Sequence, residues 1–123
     1  MDEKVKIAFK KSLELLKVSE LNFNNKFYAD SINRSYYAVF HAANALLIKK
    51  GIFSKKHKGT IRKFGLEYVI NDSFNKEIGK FFSHIEKDRE KVDYDYSYEA
   101  TKNKAKKDLD NAKKFVEECK RFL

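Results

Sequence analysis

The chain has 123 residues, 42% of them hydrophobic and 37% charged, and its 7 Tyr and 11 Phe argue against a disordered protein. It contains no Pro and only 4 Gly, which excludes a sandwich or barrel of many short strands, and its single cysteine, Cys119, excludes a disulfide framework within the chain. The 27 Lys and Arg exceed the 18 Asp and Glu by a formal charge of +9, which favours a polyanionic partner such as nucleic acid.

Apolar residues at three- and four-residue steps predict five helices along the chain. The first two run over about 2–21 and 26–50, with Gly51 as a stop signal, and a short helix follows over about 60–68. A cluster at 71–73 is predicted to cap a fourth helix that begins near Phe74, and the last helix follows a break at 93–98. These elements predict an all-α fold: an antiparallel four-helix up-down bundle with an additional short helix, one domain over residues 1–123. The apolar side of the first helix is predicted to comprise Val5, Phe9, Leu13 and Leu16.

The second helix has two different faces when its residues are placed at about 100° per residue. One is wide and apolar, as a core requires. The opposite face holds polar side chains within about 80° of one another, and Ala38 and Ala45 border it. A solvated helix surface usually carries Lys and Glu, so this composition suits a partly enclosed surface that another helix can approach closely. The polar residues are Asp30, Arg34, Tyr37, His41 and Asn44.

Arg34 and His41 are seven residues apart, so they lie two turns and roughly 10 Å apart on nearly one line. A phosphate group could bridge them, because Arg offers a fork of donors and His transfers protons near neutral pH. A structural alternative remains open at this point. Asp30 and Arg34 could form an ordinary four-apart ion pair, and His41 could be a buried imidazole that bonds a carbonyl.

Residues 31–47, SINRSYYAVFHAANALL, resemble the signature helix of the HEPN (higher eukaryotes and prokaryotes nucleotide-binding) domain family. The run YYAVFHAA at 36–43 is similar to a compact prokaryotic branch of that family. Residues 54–59 with 64–65, and residues 88–89 with 92–95, resemble two further segments of the branch. The resemblance extends over roughly 13–122.

This resemblance implies a small homodimeric helical bundle. Many members of the family are metal-independent RNases with an Arg, four to six residues, then a His; Arg34 and His41 enclose six. In those members the Arg and His of both protomers meet in a cleft across the dimer interface. Other members act beside a minimal nucleotidyltransferase, often as the toxin of a toxin–antitoxin pair.

The hypothesis for the chemistry is RNA cleavage by the 2′-hydroxyl of the RNA itself. His41 would transfer the proton and Arg34 would stabilise charge in the transition state. Asn33, Tyr37 and Asn44 are candidates to position phosphate or orient His41, and Asp30 could orient Arg34. A basic connection is either an RNA-binding patch or a solubilising loop, and its candidate residues are Lys55, Lys56, Lys58 and Arg62. No cofactor is predicted, and no metal site, because His84 and Asp88 lack a third ligand.

Three interpretations follow for the whole protein. The first is an RNA-cleaving dimer, and the second is a non-catalytic subunit that binds a nucleotide or a nucleotidyltransferase. The third is a purely structural dimer module. No apolar run reaches about 18 residues, and the first five residues have no apolar signal core, so we expect a cytoplasmic protein with no membrane partner.

Overall fold

The computed structural model describes residues 2–54 and 56–123, and these residues fold as a bundle of helices. The bounds of the helices are α1 Glu3–Asn24, α2 Tyr28–Lys49, α3 His57–Phe64, α4 Lys76–Tyr94 and α5 Lys102–Cys119. A π-helical segment, Gly65–Ile70, continues α3, and a 3₁₀ turn, Lys120–Phe122, follows α5. No strand occurs in the described residues. The predicted all-α bundle with one short helix is therefore confirmed.

Gly51 ends α2 as predicted. Its φ of 75° lies in the left-handed region that favours glycine. The Ile52 amide donates to the Leu47 carbonyl at 2.9 Å and the Gly51 amide donates to the Ile48 carbonyl at 2.8 Å. These two bonds form a Schellman motif, which turns the chain sharply from α2 toward α3.

Two predicted boundaries are wrong. The cluster at 71–73 does not cap α4; Asn75 does, and its side chain accepts from the Ile78 amide at 3.0 Å. Phe74 lies before the helix and is buried in the core. The short helix begins at His57 instead of near residue 60, and it widens after Phe64 into the π-helical segment. There the Asn71 amide donates to the Leu66 carbonyl, five residues earlier.

Small residues bring α1 and α2 together in antiparallel orientation. The Ser12 hydroxyl donates to the Ala38 carbonyl at 2.6 Å, and the Ser19 hydroxyl donates to the Ser31 carbonyl at 2.7 Å. Both serines are fully buried. Because α1 faces α2 through Val5, Ser12 and Ser19, the predicted core residue Leu13 turns outward and is exposed.

The apolar face of α2 packs against an aromatic cluster from the rest of the bundle. Phe64 contacts Phe74 edge to face at 4.8 Å and Phe115 at 5.3 Å between ring centroids. The Tyr68 hydroxyl donates to the Leu46 carbonyl and ties the π-helical segment to α2. With one side against α1 and another against this cluster, α2 is the central helix, and only its polar side remains uncovered.

Candidate functional site

The side of α2 that the core leaves uncovered carries the predicted site residues. Asp30 and Arg34 are exposed and the others are half-buried. No ion pair joins Arg34 to Asp30 or to any other carboxylate among residues 2–54 and 56–123. The Arg34 guanidinium is thus open to a ligand. We call this surface the polar face of α2, comprising Asp30, Asn33, Arg34, Tyr37, His41 and Asn44.

His41 is the least hydrated ionisable group of this face. Its imidazole packs edge to face on Phe40 at 5.2 Å and tilts against Tyr37 at 6.4 Å between ring centroids. Burial, followed by the positive charge of Lys11 on α1 and by His57, lowers the pKa of His41 to about 4. His41 is therefore a neutral imidazole at pH 7, the form that accepts a proton.

Asn33 is engaged with the end of α4. Its side-chain amide donates to Asp93 Oδ1 at 3.1 Å, and Arg89 donates to Asp93 Oδ2 at 3.2 Å. This contact holds the N-terminal half of α2 against α4. It also means that Asn33 would have to leave Asp93 before it could bind phosphate.

A second imidazole, for which the sequence alone predicts no catalytic role, borders the polar face of α2. His57 begins α3, and its Nδ1 lies 2.8 Å from the hydroxyl of the buried Tyr36. Its ring stacks on Tyr36 at 5.7 Å and lies 4.8 Å from Phe40. Tyr37 meets the same ring edge to face at 5.8 Å. Phe40 and Tyr37 thus contact both imidazoles.

A buried ion pair lies behind Tyr36. Arg89 donates to Glu86 Oε1 at 2.6 Å, and its guanidinium lies over the Tyr36 ring at 4.9 Å. Burial raises the pKa of the Tyr36 hydroxyl, and the neighbouring Glu86 carboxylate raises it further, so the hydroxyl keeps its proton. The sequence does hold a signal for these residues. Of the two further segments that resemble the family, one contains His57 and the other contains Arg89.

Three of the predicted RNA-binding residues lie at the start of α3 and along it. Lys56 and Lys58 are exposed at the start of α3, beside His57. Arg62 lines a groove of about 570 Å³ between α3, the π-helical segment and α4. Lys55 lies outside the described residues.

The side of α1 that is turned away from α2 carries exposed apolar side chains. Ile7 is 60% exposed and Leu21 is 61% exposed, and Val18 is exposed between them. On a helix these three fall within about 60° of one another, roughly 140° from the side of α1 that faces α2. An uncovered apolar surface is typical of a protein interface.

The pair His84 and Asp88 lies elsewhere, in a cavity of about 310 Å³ between α4 and α5. The described residues contain no group of three side chains that could hold a metal ion. The cavity does contain the buried Asp108, whose Oδ2 has no hydrogen-bond partner within the described chain. Burial and a hydrogen bond to Asp88 raise the pKa of Asp108 to about 8.

Comparison with known proteins identifies the class of protein to which this fold and this site belong. Residues 5–122 match the HEPN domain, so the chain belongs to the HEPN domain family. It is 35% identical over 122 residues to "Putative toxin MJ0605" of Methanocaldococcus jannaschii, covering 98% of this chain and 90% of that protein. It is 34% identical over 131 positions to a UPF0332 protein of Thermotoga maritima, covering 98% and 99%.

A further relative is "Putative toxin MJ0142" of Methanocaldococcus jannaschii, 30% identical over 113 residues, covering 92% of this chain and 77% of that protein. These matches extend over nearly the whole chain and include every residue of the polar face of α2. Separately, no helix in the described part of the chain is both long and apolar enough to cross a membrane.

Proposed function

We propose that this HEPN protein is an endoribonuclease that cleaves RNA with protein side chains alone, and that it is the toxin of a toxin–antitoxin pair. One observation carries the proposal: Arg34, whose guanidinium has no ion pair within the described residues, and His41, whose imidazole is neutral, lie on the same uncovered side of α2. The net charge of +9 supports an RNA substrate. The names of two relatives support the role as a toxin.

In this mechanism His41 takes the proton from the 2′-hydroxyl of the RNA. The resulting oxyanion attacks the adjacent phosphorus, and Arg34 donates to the phosphate oxygens as negative charge develops on them. Products are a 2′,3′-cyclic phosphate and a free 5′-hydroxyl. Tyr37 and Asn44 are placed beside His41 on the polar face of α2 and would position the phosphate.

The proposal includes a homodimer in which the polar faces of the two α2 helices line a common cleft. Support comes from the exposed apolar side chains of α1, the helix that packs against α2. Two copies meeting there would bury Ile7, Val18 and Leu21 and would bring two guanidinium–imidazole pairs together. A phosphate in that cleft would also favour the protonated imidazole after the proton transfer.

The test is cleavage of a single-stranded oligoribonucleotide in the presence of EDTA. We expect His41→Ala to lower the rate about 10²- to 10⁴-fold, because it removes the proton acceptor. Arg34→Ala should lower it about 10²- to 10³-fold, because it removes charge stabilisation in the transition state. The matched control is His84→Ala, which removes an exposed imidazole on α4. Wild-type rates in the His41→Ala protein, with cyclic phosphate ends still formed, would exclude this mechanism.

A second candidate is the non-catalytic subunit of a nucleotidyltransferase. The groove lined by Arg62 favours it, because its lining is mostly apolar and its charged lining residues, Arg62, Lys76 and Lys80, are all basic. Such a surface fits a partner with an acidic, partly apolar segment. Co-purification with a nucleotidyltransferase, without RNA cleavage by the free protein, would favour this candidate.

A further inference from the structure

We propose that His57 is the second proton-transferring residue of the same site, and that it protonates the 5′-oxygen as that oxygen leaves the phosphorus. This inference rests on the proposed ribonuclease function. It gives each protomer both an acid and a base, so that one chain supplies the two proton transfers of the reaction.

The first support is how firmly His57 is held. The half-buried imidazole at the start of α3 stacks on Tyr36, lies tilted against Phe40 at 4.8 Å, and is bonded at Nδ1 to the Tyr36 hydroxyl at 2.8 Å. A histidine that only caps or solubilises a loop needs no such contacts. A proton-transferring imidazole does, because its second nitrogen must be aimed.

The second support is the direction of the hydrogen bonds. An ionised Glu86 is an acceptor only, and its Oε2 is buried with no hydrogen-bond partner within the described chain. Because this carboxylate beside the Tyr36 hydroxyl can only accept, we assign the hydroxyl proton to the Glu86 side and the proton of the 2.8 Å contact to His57 Nδ1. This order fixes the proton of His57 on Nδ1 and leaves Nε2 as the atom that exchanges protons with a ligand.

The third support is proximity to His41. Tyr37 and Phe40 each contact both rings, and His57 is near enough to His41 to help lower its pKa. The two histidines therefore flank one small aromatic platform at the edge of the polar face of α2. A phosphodiester lying across that platform has one imidazole toward its 2′-oxygen and the other toward its 5′-oxygen.

The step is balanced without any other reactant. His41 takes the 2′-hydroxyl proton, the new bond forms from the 2′-oxygen to phosphorus, and the bond from phosphorus to the 5′-oxygen breaks. The electron pair of that bond stays on the 5′-oxygen, which takes a proton from Nε2 of a protonated His57. Solvent then returns His41 to its neutral form and His57 to its protonated form.

The experiment compares two substrates of one sequence. One is an oligoribonucleotide that the protein cleaves, and the other carries sulfur in place of the bridging 5′-oxygen at the cleaved linkage. A thiolate leaves without being protonated, so a missing general acid matters only for the oxygen substrate. We expect His57→Gln to cleave the oxygen substrate about 10²- to 10⁴-fold more slowly and the sulfur substrate at close to the wild-type rate.

Three controls give each outcome a meaning. His41→Ala should lose both substrates, because the base is needed for either leaving group. Tyr36→Phe keeps the ring packing and removes the hydroxyl that fixes His57, so it should resemble His57→Gln in weaker form. His84→Gln should behave as wild type.

Equal loss of both substrates in His57→Gln would make His57 structural, and no loss of either would remove it from the site; each result overturns the inference while the ribonuclease function stands. A wild-type protein that cleaves neither substrate would overturn the proposed function itself, and the role of His57 with it.

Discussion

Asp108 shows how a single buried residue makes the stability of this protein depend on pH. It is 3% exposed, and burial together with the neighbouring Asp88 raises its pKa to about 8, so Asp108 holds a proton in the folded protein at neutral pH. The unfolded chain releases that proton near pH 4, at the ordinary value for the group. Between these values the folded state binds more protons, so the free energy of unfolding must fall as pH rises.

We therefore expect Asp108→Asn to be more stable than the wild type at pH 8.5, by about 1 to 2 kcal/mol, and to lose that advantage at low pH. Urea denaturation of both proteins between pH 6.5 and 8.5 measures the difference. His41, with its lowered pKa, changes stability only below this range, where stability rises with pH. Asp110→Asn is the control, since Asp110 pairs with Lys106 at the surface of the same helix. If the free energy of unfolding changes equally with pH in the wild type and in Asp108→Asn, the raised pKa of Asp108 is contradicted.

At the scale of elements, the contact between α1 and α2 depends on serines. The Ser19 hydroxyl lies 2.7 Å from that of Ser35 and donates to the Ser31 carbonyl at 2.7 Å. Buried hydroxyls of this kind are tolerated only because each has a partner. They also keep the two backbones close, because a serine side chain takes little room between the helices.

Ser19→Ala should destabilise the protein by about 1 to 2 kcal/mol, because Ser35 then keeps no other hydrogen-bond partner within the described residues. Ser19→Leu should cost about 1 to 3 kcal/mol through overpacking, and should weaken RNA cleavage as α1 is pushed from α2. Thermal and urea denaturation measure both. Ser83→Ala, at an exposed serine of α4, should change stability by less than about 0.5 kcal/mol. If Ser19→Leu is as stable as the wild type, the packing of α1 on α2 can accommodate a larger side chain, and the prediction is wrong.

The same contact explains which parts of the structure the sequence could predict. The wide apolar face of α2 and the glycine after it are strong local signals, and both are confirmed. On α1 the predicted Val5 is buried and Phe9 and Leu16 pack against the core, but Leu13 is exposed. The buried Ser12 and Ser19 were missed because hydrophobic periodicity does not register serines as core residues. The arrangement of His57 on Tyr36 depends on contacts between residues 21 positions apart, and no local pattern encodes such a contact. A single histidine after a connecting loop does not indicate which distant side chain it will contact.

At the scale of the whole molecule, the proposed function includes a homodimer with a common cleft, and the apolar side of α1 is where we expect the two chains to meet. Leu21→Asp puts a charge on a side chain that is 61% exposed, so the single chain should still fold, while a buried carboxylate should raise the dimer dissociation constant at least about 10-fold. Light scattering after size-exclusion chromatography measures the mass of the particle in solution. The rate of RNA cleavage should fall as the dimer dissociates and should recover at high protein concentration. Ile70→Asp is the matched control, because Ile70 is 71% exposed but lines the groove beside α4. If Ile70→Asp separates the chains and Leu21→Asp does not, the subunits meet at that groove, and the two polar faces of α2 cannot share a cleft.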